Sequence, residues 1–399
     1  MALVKMSTNT RAIVDSFNLA HRFAVLGHTE QDNGLLPRKY KRVHTPYMKQ
    51  NRRADFAVSY GGTNLSYEFP QSMKIVGSAF LKIRLPAASS NYKTVPGLHL
   101  IKNFTLRCSG NLVYTVDYQT LLLEHLSSLS DEDAREYAAC YLGDVGSPSA
   151  AARDVYLPIA FPNSSVFFRG GRGNGILPWQ SFRDRRIEII FDMFDAKFPA
   201  ADGATDCPAI TDSEILVKEC VVPQAQEKRY ISARANYSVV GKKYTKIQDW
   251  TVAEGNALQE IVVSNLSGCV TSIVVEAIPW AADIATCDVR SPVTPSSAQL
   301  VADSVLVVDQ ESQSEIRLIE AQHGFKRNAY FNGQTYRMCF SSHGYDDDDT
   351  FVGAMNYSHY SQVLLKIQWP EKVYFKIHAC QLVKNDITSE GDLKQRLEA

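Results

Sequence analysis

The glycines of FRGGRGNGILP, residues 168–178, are spaced as if to wrap an anion. Phosphate binding of that kind requires a strand before the glycines and a helix opening after them, so that free N–H groups face the charge. Here the run leads into Pro178, and Ile187, Ile189 and Phe191 then alternate with Glu188 and Asp192. A period of two is a strand pattern, so GGRGNG reads as a loop between strands. Asp346, Asp347, Asp348 and Asp349 offer hard oxygen ligands, but calcium loops alternate their ligands with glycine or asparagine. Four consecutive acids read as a solvated loop tip, and the flanking His343 and His359 read as ordinary histidines. No two histidines form H-x-H or H-E-x-x-H, and no G-x-S-x-G is present. No cofactor and no metal are expected, and the chain is not expected to be an enzyme.

The elements that would position any such groups are overwhelmingly strands. In SAFLKIRLP, Leu81, Ile83 and Leu85 face one way and Lys82 and Arg84 the other. The alternation recurs in KNFTLRC, RIEIIF, EILVKECVV, LQEIVVS, TSIVVEAI, SVLVVD, YRMCF, SQVLLKIQW and KVYFKIHACQLV, with Gly, Pro, Asn and Ser between them. Many short strands with such punctuation predict all-β sandwiches or barrels. Residues 117–143 break the pattern as a helical excursion, with Ser130 and Asp133 placed as a capping box and Gly143 as a stop. Each half of the chain ends alike, in RIEIIFDM and EILVKECVVP (186–193, 214–223) and in QVLLKIQW and KVYFKIHACQLV (362–369, 372–383). Each of these couples is expected to be a strand pair that closes one domain, with a polar linker near 224–235 between the domains.

At 399 residues the chain is long enough for two large β domains, and its net charge of −1 gives it no general attraction to nucleic acid or acidic membranes. A basic contact must therefore be local. Arg38, Lys39, Lys41, Arg42, Lys49, Arg52 and Arg53 follow one another without an intervening acid, and residues 11–26 before them carry an amphipathic helix pattern. Together they predict an N-terminal arm over 1–53. No early apolar core with a cleavage site and no long charge-free apolar run is seen, which predicts neither a signal peptide nor a spanning helix. The 8 cysteines never fall as C-x-x-C and are expected to be reduced, buried thiols of a protein made in the cytosol or nucleus. The N-x-[ST] sequons, such as those at Asn64 and Asn103, are read as chance occurrences.

The order FPQSMKIVGSAFLKIRLP, GLHLIKNFTLRCSGNLVYTVDYQTLLLEHL, a helical excursion, then VYLPIAFPNSSVFFRGGRGNGILPWQSFRDRRIEIIF resembles the first jelly roll of double jelly-roll major capsid proteins of large DNA viruses, virophages and Polinton-like viruses. GQTYRMCFSSHGYDDDDTFVGAMNYSHYSQVLLKIQW, residues 333–369, resembles the family's late segment. The resemblance implies two tandem eight-stranded jelly rolls, over 54–225 and 226–385, with a polar tail at 386–399. It further implies a homotrimer forming a pseudo-hexagonal capsomer that tiles an icosahedral virion shell. Expected partners are neighbouring capsomers and minor capsid or penton proteins, with an internal membrane or packaged DNA reached through the basic arm. Rival readings are a carbohydrate- or receptor-binding jelly roll and a sandwich glycoside hydrolase with paired carboxylates.

Overall fold

The computed structural model describes residues 48–71, 75–161, 177–178, 186–201, 203, 206–221, 238–263, 266–322, 336–340, 354–388 and 393–397. The expected helix at 11–26, the basic residues Arg38, Lys39, Lys41 and Arg42, the glycines of 170–175, the linker and the Asp346–Asp349 loop lie outside these residues. The first half contains β1 (Met48–Asp55), β2 (Leu65–Glu68), β3 (Ile75–Leu85), β4 (Ile101–Cys108) and β5 (Asn111–Asp117). Helices α1 (Tyr118–Ser128) and α2 (Asp131–Tyr141) follow, then β6 (Arg153–Pro158), β7 (Leu177–Pro178), β8 (Ile187–Met193) and β9 (Asp212–Val221). The second half contains β10 (Ser238–Ala253), β11 (Leu258–Val262), β12 (Cys269–Pro279), β13 (Ser297–Ala302), β14 (Val305–Gln310) and helix α3 (Gln313–Gln322). It closes with β15 (Tyr336–Cys339), β16 (Met355–Asn356), β17 (Val363–Gln368), β18 (Val373–Ile387) and β19 (Leu393–Leu397).

Two sheets form each half, and their strand orders repeat. The first half pairs β1-β9-β3-β6 and β2-β8-β4-β5, and the second pairs β10-β18-β12-β15 and β11-β17-β13-β14. The short strands β7 and β16 take the same place, extending the β6 and β15 positions along β3 and β12. Each half thus fills eight strand positions in jelly-roll order. The alternation in sequence fills the space between the sheets. Phe104, Leu106 and Cys108 of β4 face Leu81, Ile83 and Leu85 of β3 across the first core, and Val363, Leu365 and Ile367 of β17 serve the second.

The closing segments of each half are neighbours in sequence but not in a sheet. β8 and β9 stand in opposite sheets of one sandwich, as do β17 and β18 of the other. The expected strand pairs are therefore corrected to sheet-to-sheet crossings, and their equivalence between halves holds. The helical excursion forms as two helices, with the Asp133 N–H donating to Ser130 Oγ at 3.2 Å and Gly143 at φ 73° after α2. The chain ends contribute more strand than expected. β1 pairs with β9 from Met48↔Val221 to Asp55↔Glu214, so Lys49, Arg52 and Arg53 belong to the first sandwich and not to a free arm. β18 runs on past the end of β12, and β19, expected as tail, pairs with its residues 383–387. Both additions supply partners to backbone groups that would otherwise stand at a bare edge.

Candidate functional site

The two sandwiches meet along a seam built on the outer face of the β10-β18-β12-β15 sheet. In β12, Ile273, Val275 and Ala277 point into their own core, and alternation sends Ser272, Val274 and Glu276 outward. These outward residues are buried all the same, because α1 and β5 of the first sandwich cover them; Val274 and Cys380, with Tyr244 of β10, pack into the first sandwich's core. β5 itself runs against β10.

The polar part of the seam centres on Lys376 of β18, which is 0% exposed. Its ammonium forms an ion pair with Glu276 Oε2 at 2.7 Å, donates to Asp117 Oδ1 at 3.2 Å and Gln119 Oε1 at 3.2 Å, and sits 4.9 Å above the Trp250 ring. Asp117 is also the N-cap of α1, accepting the Thr120 N–H at 2.9 Å. Burial alone would raise the Asp117 pKa, but the Lys376 charge and the N-cap bond outweigh it and hold the carboxyl at about 2. Lys376 stays charged for the same reason: desolvation works against its cation, while Asp117 and Glu276 favour it. His378, two residues along the strand, packs against Thr120 Oγ1 at 3.3 Å, and burial drives its pKa down to about 3. It is therefore a neutral imidazole at physiological pH.

Two further contacts flank this centre. Arg337 of β15 forms a buried ion pair with Glu124 of α1, and the Tyr244 hydroxyl donates to the same carboxylate at 3.5 Å. At the other end, Lys93 reaches across to donate to the carbonyls of Ala285 at 2.6 Å and Cys287 at 2.9 Å. Desolvation lowers its pKa to about 8. Gly203, at φ 64°, lies so close that a Cβ there would fall 2.8 Å from the Thr286 backbone nitrogen. This arrangement fixes one sandwich against the other, and its hydroxyl–imidazole contact between Thr120 and His378 is closed to solvent. Among the described residues no three His, Cys, Asp or Glu side chains gather as a metal site, and no helix is long and apolar enough to cross a membrane.

Of the basic residues singled out in sequence, Arg52 pairs with the buried Glu219, and Arg53, 69% exposed, pairs with Glu214 at 3.4 Å. Lys49 lies opposite Cys220 in the β1–β9 ladder. His359 ends a short 3₁₀ turn that Asn356 caps, with its ring 3.3 Å from the Asn356 amide. The seam residues themselves were hidden from sequence reading. Lys376 and His378 occupy the polar phase of an alternating strand, which reads as a solvent face until a second domain covers it.

No family model matches the sequence, and no curated protein matches it. The fold does have solved counterparts. The chain is similar to the PBCV-1 virus capsid chain, with a TM-score of 0.68 at 12% identity over 89% of this chain and 98% of that one. It is similar to the Faustovirus major capsid protein, with a TM-score of 0.60 at 12% identity over 97% of each chain. The mavirus major capsid protein gives a TM-score of 0.56 at 11% identity over 93% of this chain and 95% of that one. The shared fold is the double jelly roll.

Proposed function

We propose that this chain is a major capsid protein, a structural subunit that associates as a homotrimer into a pseudo-hexagonal capsomer tiling an icosahedral shell. The observation that carries the reading is the tandem repeat of one strand order, matched over almost the whole length of capsid chains of similar size. A shell subunit needs rigid bodies more than a reactive cleft, and the buried ionic seam makes two sandwiches into one such body. In this reading the partners are neighbouring copies and capsomers, and the chain carries out no catalytic step.

The test is light scattering and negative-stain microscopy of the purified full chain. The expected result is a stable species of three times the chain mass with a hexagonal outline that forms arrays at high concentration; a persistent monomer that binds a sugar would favour the carbohydrate-binding reading instead. The basic run Arg38, Lys39, Lys41 and Arg42, with the segment before it, is proposed to contact a neighbouring capsomer or a minor capsid or penton protein at the inner base. An internal membrane or packaged DNA would be a competing partner for the same charges. Because β1 starts at Met48, deletion of residues 1–46 should leave the trimer intact and impair shell formation. Normal particles from that truncation would remove the assembly role.

A further inference from the structure

The described histidines are unevenly placed. His359 is exposed, His125 packs on Tyr137 of α2 with ring centroids 4.8 Å apart, and His99 and His378 lie in the seam between the sandwiches. His378, on β18 two residues from Lys376, is 0% exposed. Its Nδ1 meets Thr120 Oγ1 at 3.3 Å; its Nε2 stands 4.0 Å from Asp117 Oδ2, beyond hydrogen-bond reach, and has no hydrogen-bond partner among the described residues. His99 ends the 3₁₀ turn Pro96–His99 and is 2% exposed. Gln119 ties that turn to the seam: its amide donates to the Leu98 carbonyl at 3.1 Å while its oxygen accepts from Lys376.

The charges that face these two rings leave no carboxylate uncommitted. Lys93 of the first sandwich and Arg290 and Lys376 of the second bear on His99. On His378, Lys376 and Lys246 act against Asp117 and Asp249. Asp117 already serves Lys376 and the Thr120 N–H, and Asp249 pairs with Lys246 at 2.9 Å. Burial, and then the cations, hold His99 well below the ordinary histidine range; burial is likewise the main cause that lowers His378. Glu276 works the other way, since burial raises its carboxyl and lets it take up a proton in the closed seam.

We propose that acid separates the two sandwiches as folded bodies, by protonating His99 and His378 in the seam that joins them. In the closed seam both rings are neutral and enclosed. Once the seam opens they meet water and titrate as ordinary histidines near pH 6.5, so each favours the open form about tenfold per pH unit below that value, or about thirtyfold at pH 5. Two rings together give about a thousandfold, of which Glu276 offsets at most about thirtyfold. Asp117, held at about 2, keeps its charge throughout this window, so the imidazoles carry the acid effect. Opening withdraws Val274, Tyr244 and Cys380 from the first cluster and leaves the apolar filling between each pair of sheets in place. The joint therefore gives way before either sandwich does. The proposal stands apart from the capsid reading; in a shell, it would give every subunit the same acid-sensitive joint.

The test follows two buried thiols of the full chain, Cys380 in the seam, 1% exposed, and Cys108 in the first core, 2% exposed. A dithiodipyridine reagent, which labels thiols in acid, is applied across pH 7 to 5, and labelled peptides are counted by mass spectrometry. Each rate is divided by that of the same thiol in the urea-unfolded chain at the same pH. Between pH 6.5 and 5 the protection of Cys380 should fall by about thirtyfold to a thousandfold, while Cys108 stays protected. His99→Gln and His378→Gln should each remove about thirtyfold of that acid effect, and His125→Gln, outside the seam, should leave it unchanged. Where His378→Gln alters the circular dichroism spectrum at pH 7, His378→Asn takes its place, and the wild-type contrast between the two thiols needs no variant. Equal loss of protection at Cys108 and Cys380 would overturn the proposal, because the sandwiches would then melt rather than part. So would a Cys380 that stays protected at pH 5, or an acid effect that survives in both seam variants.

Discussion

Lys82–Glu214 and Glu276–Lys376 occupy the same two ladder positions in the two sandwiches, with the charges exchanged between strands. One pair sits under α1 with no solvent access to its lysine; the other keeps water, Asp154 and Arg53 as neighbours. The same local design therefore does two different jobs. Under cover, the ions are satisfied within the seam, by one another and by Asp117, Gln119 and the Trp250 ring, so the pair specifies a single docking position. In the open, it is one of several interchangeable surface pairs. What differs is not the strand sequence but the body lying on it, and burial decides how much each charge matters.

The largest expected effect comes from breaking the covered pair. Lys376→Met leaves Asp117 and Glu276 buried without their cation, and loss of one partner of a buried pair costs about 3–5 kcal/mol. Urea denaturation of the full chain should show a midpoint lowered accordingly. Adding Asp117→Asn and Glu276→Gln to Lys376→Met should recover part of the loss. A midpoint within error of wild type for Lys376→Met would mean that the seam is hydrated in solution.

Next comes close approach. Gly203→Ala places a side chain in a left-handed conformation and against the Thr286 backbone, whereas Gly110→Ala, at φ 80° in the β4–β5 turn, meets open space. Strain of the first kind costs about 1–3 kcal/mol, and steric displacement adds about as much again. In thermal melts Gly203→Ala should therefore be lowered more than Gly110→Ala. Equal shifts would show that conformation alone, and not contact across the seam, makes glycine necessary there.

Acid should separate the two regions as well. His378 has a folded pKa of about 3 and His125 about 4, both lowered by burial from the ordinary 6.5. Each binds its proton more readily when unfolded, so its contribution is complete above pH 6.5 and is lost as pH falls toward the folded value. Each such histidine removes about 1.4 kcal/mol per pH unit in that window, or about 2 kcal/mol between pH 6.5 and 5. His378→Gln should reduce the slope of stability against pH over this range. Asp117, depressed to about 2, contributes in a separate window, its share being lost only below the unfolded carboxyl value near 3.8. An unchanged slope in His378→Gln would mean that the imidazole is solvated.

Much of this architecture was legible in sequence because half-buried strands write their burial as alternation. RIEIIF, SQVLLKIQW and SAFLKIRLP declared which residues face a core. β1 was not legible: MKQNRRAD carries no apolar phase, and its Arg52 is held by pairing with buried Glu219 rather than by hydrophobic burial. α3 had a readable start, since Ser312 Oγ accepts the Glu315 N–H at 3.2 Å in an S-x-x-E cap, but its ten residues are too short to show a clear period. The sheet-to-sheet crossings after β8 and β17 were misread as pairings because adjacency in sequence usually means adjacency in a sheet. The seam was illegible for a stronger reason. Whether Lys376 faces water or a second domain is a property of what comes to rest on β18, and no pattern within β18 encodes it.

The smallest effect tests the open member of the comparison. Lys82→Met removes the cation from Glu214 and Asp154, but Arg53 lies 3.4 Å from Glu214 and Arg84 lies 3.5 Å from Asp154, so neither carboxylate is abandoned. A partly exposed pair is worth at most about 1 kcal/mol, and the same urea titration should move by no more than that when the chain is dilute enough to be monomeric. A Lys82→Met penalty as large as that of Lys376→Met in the dilute chain would mean that the two faces are equally dry already, and that cover by another domain is not what separates them.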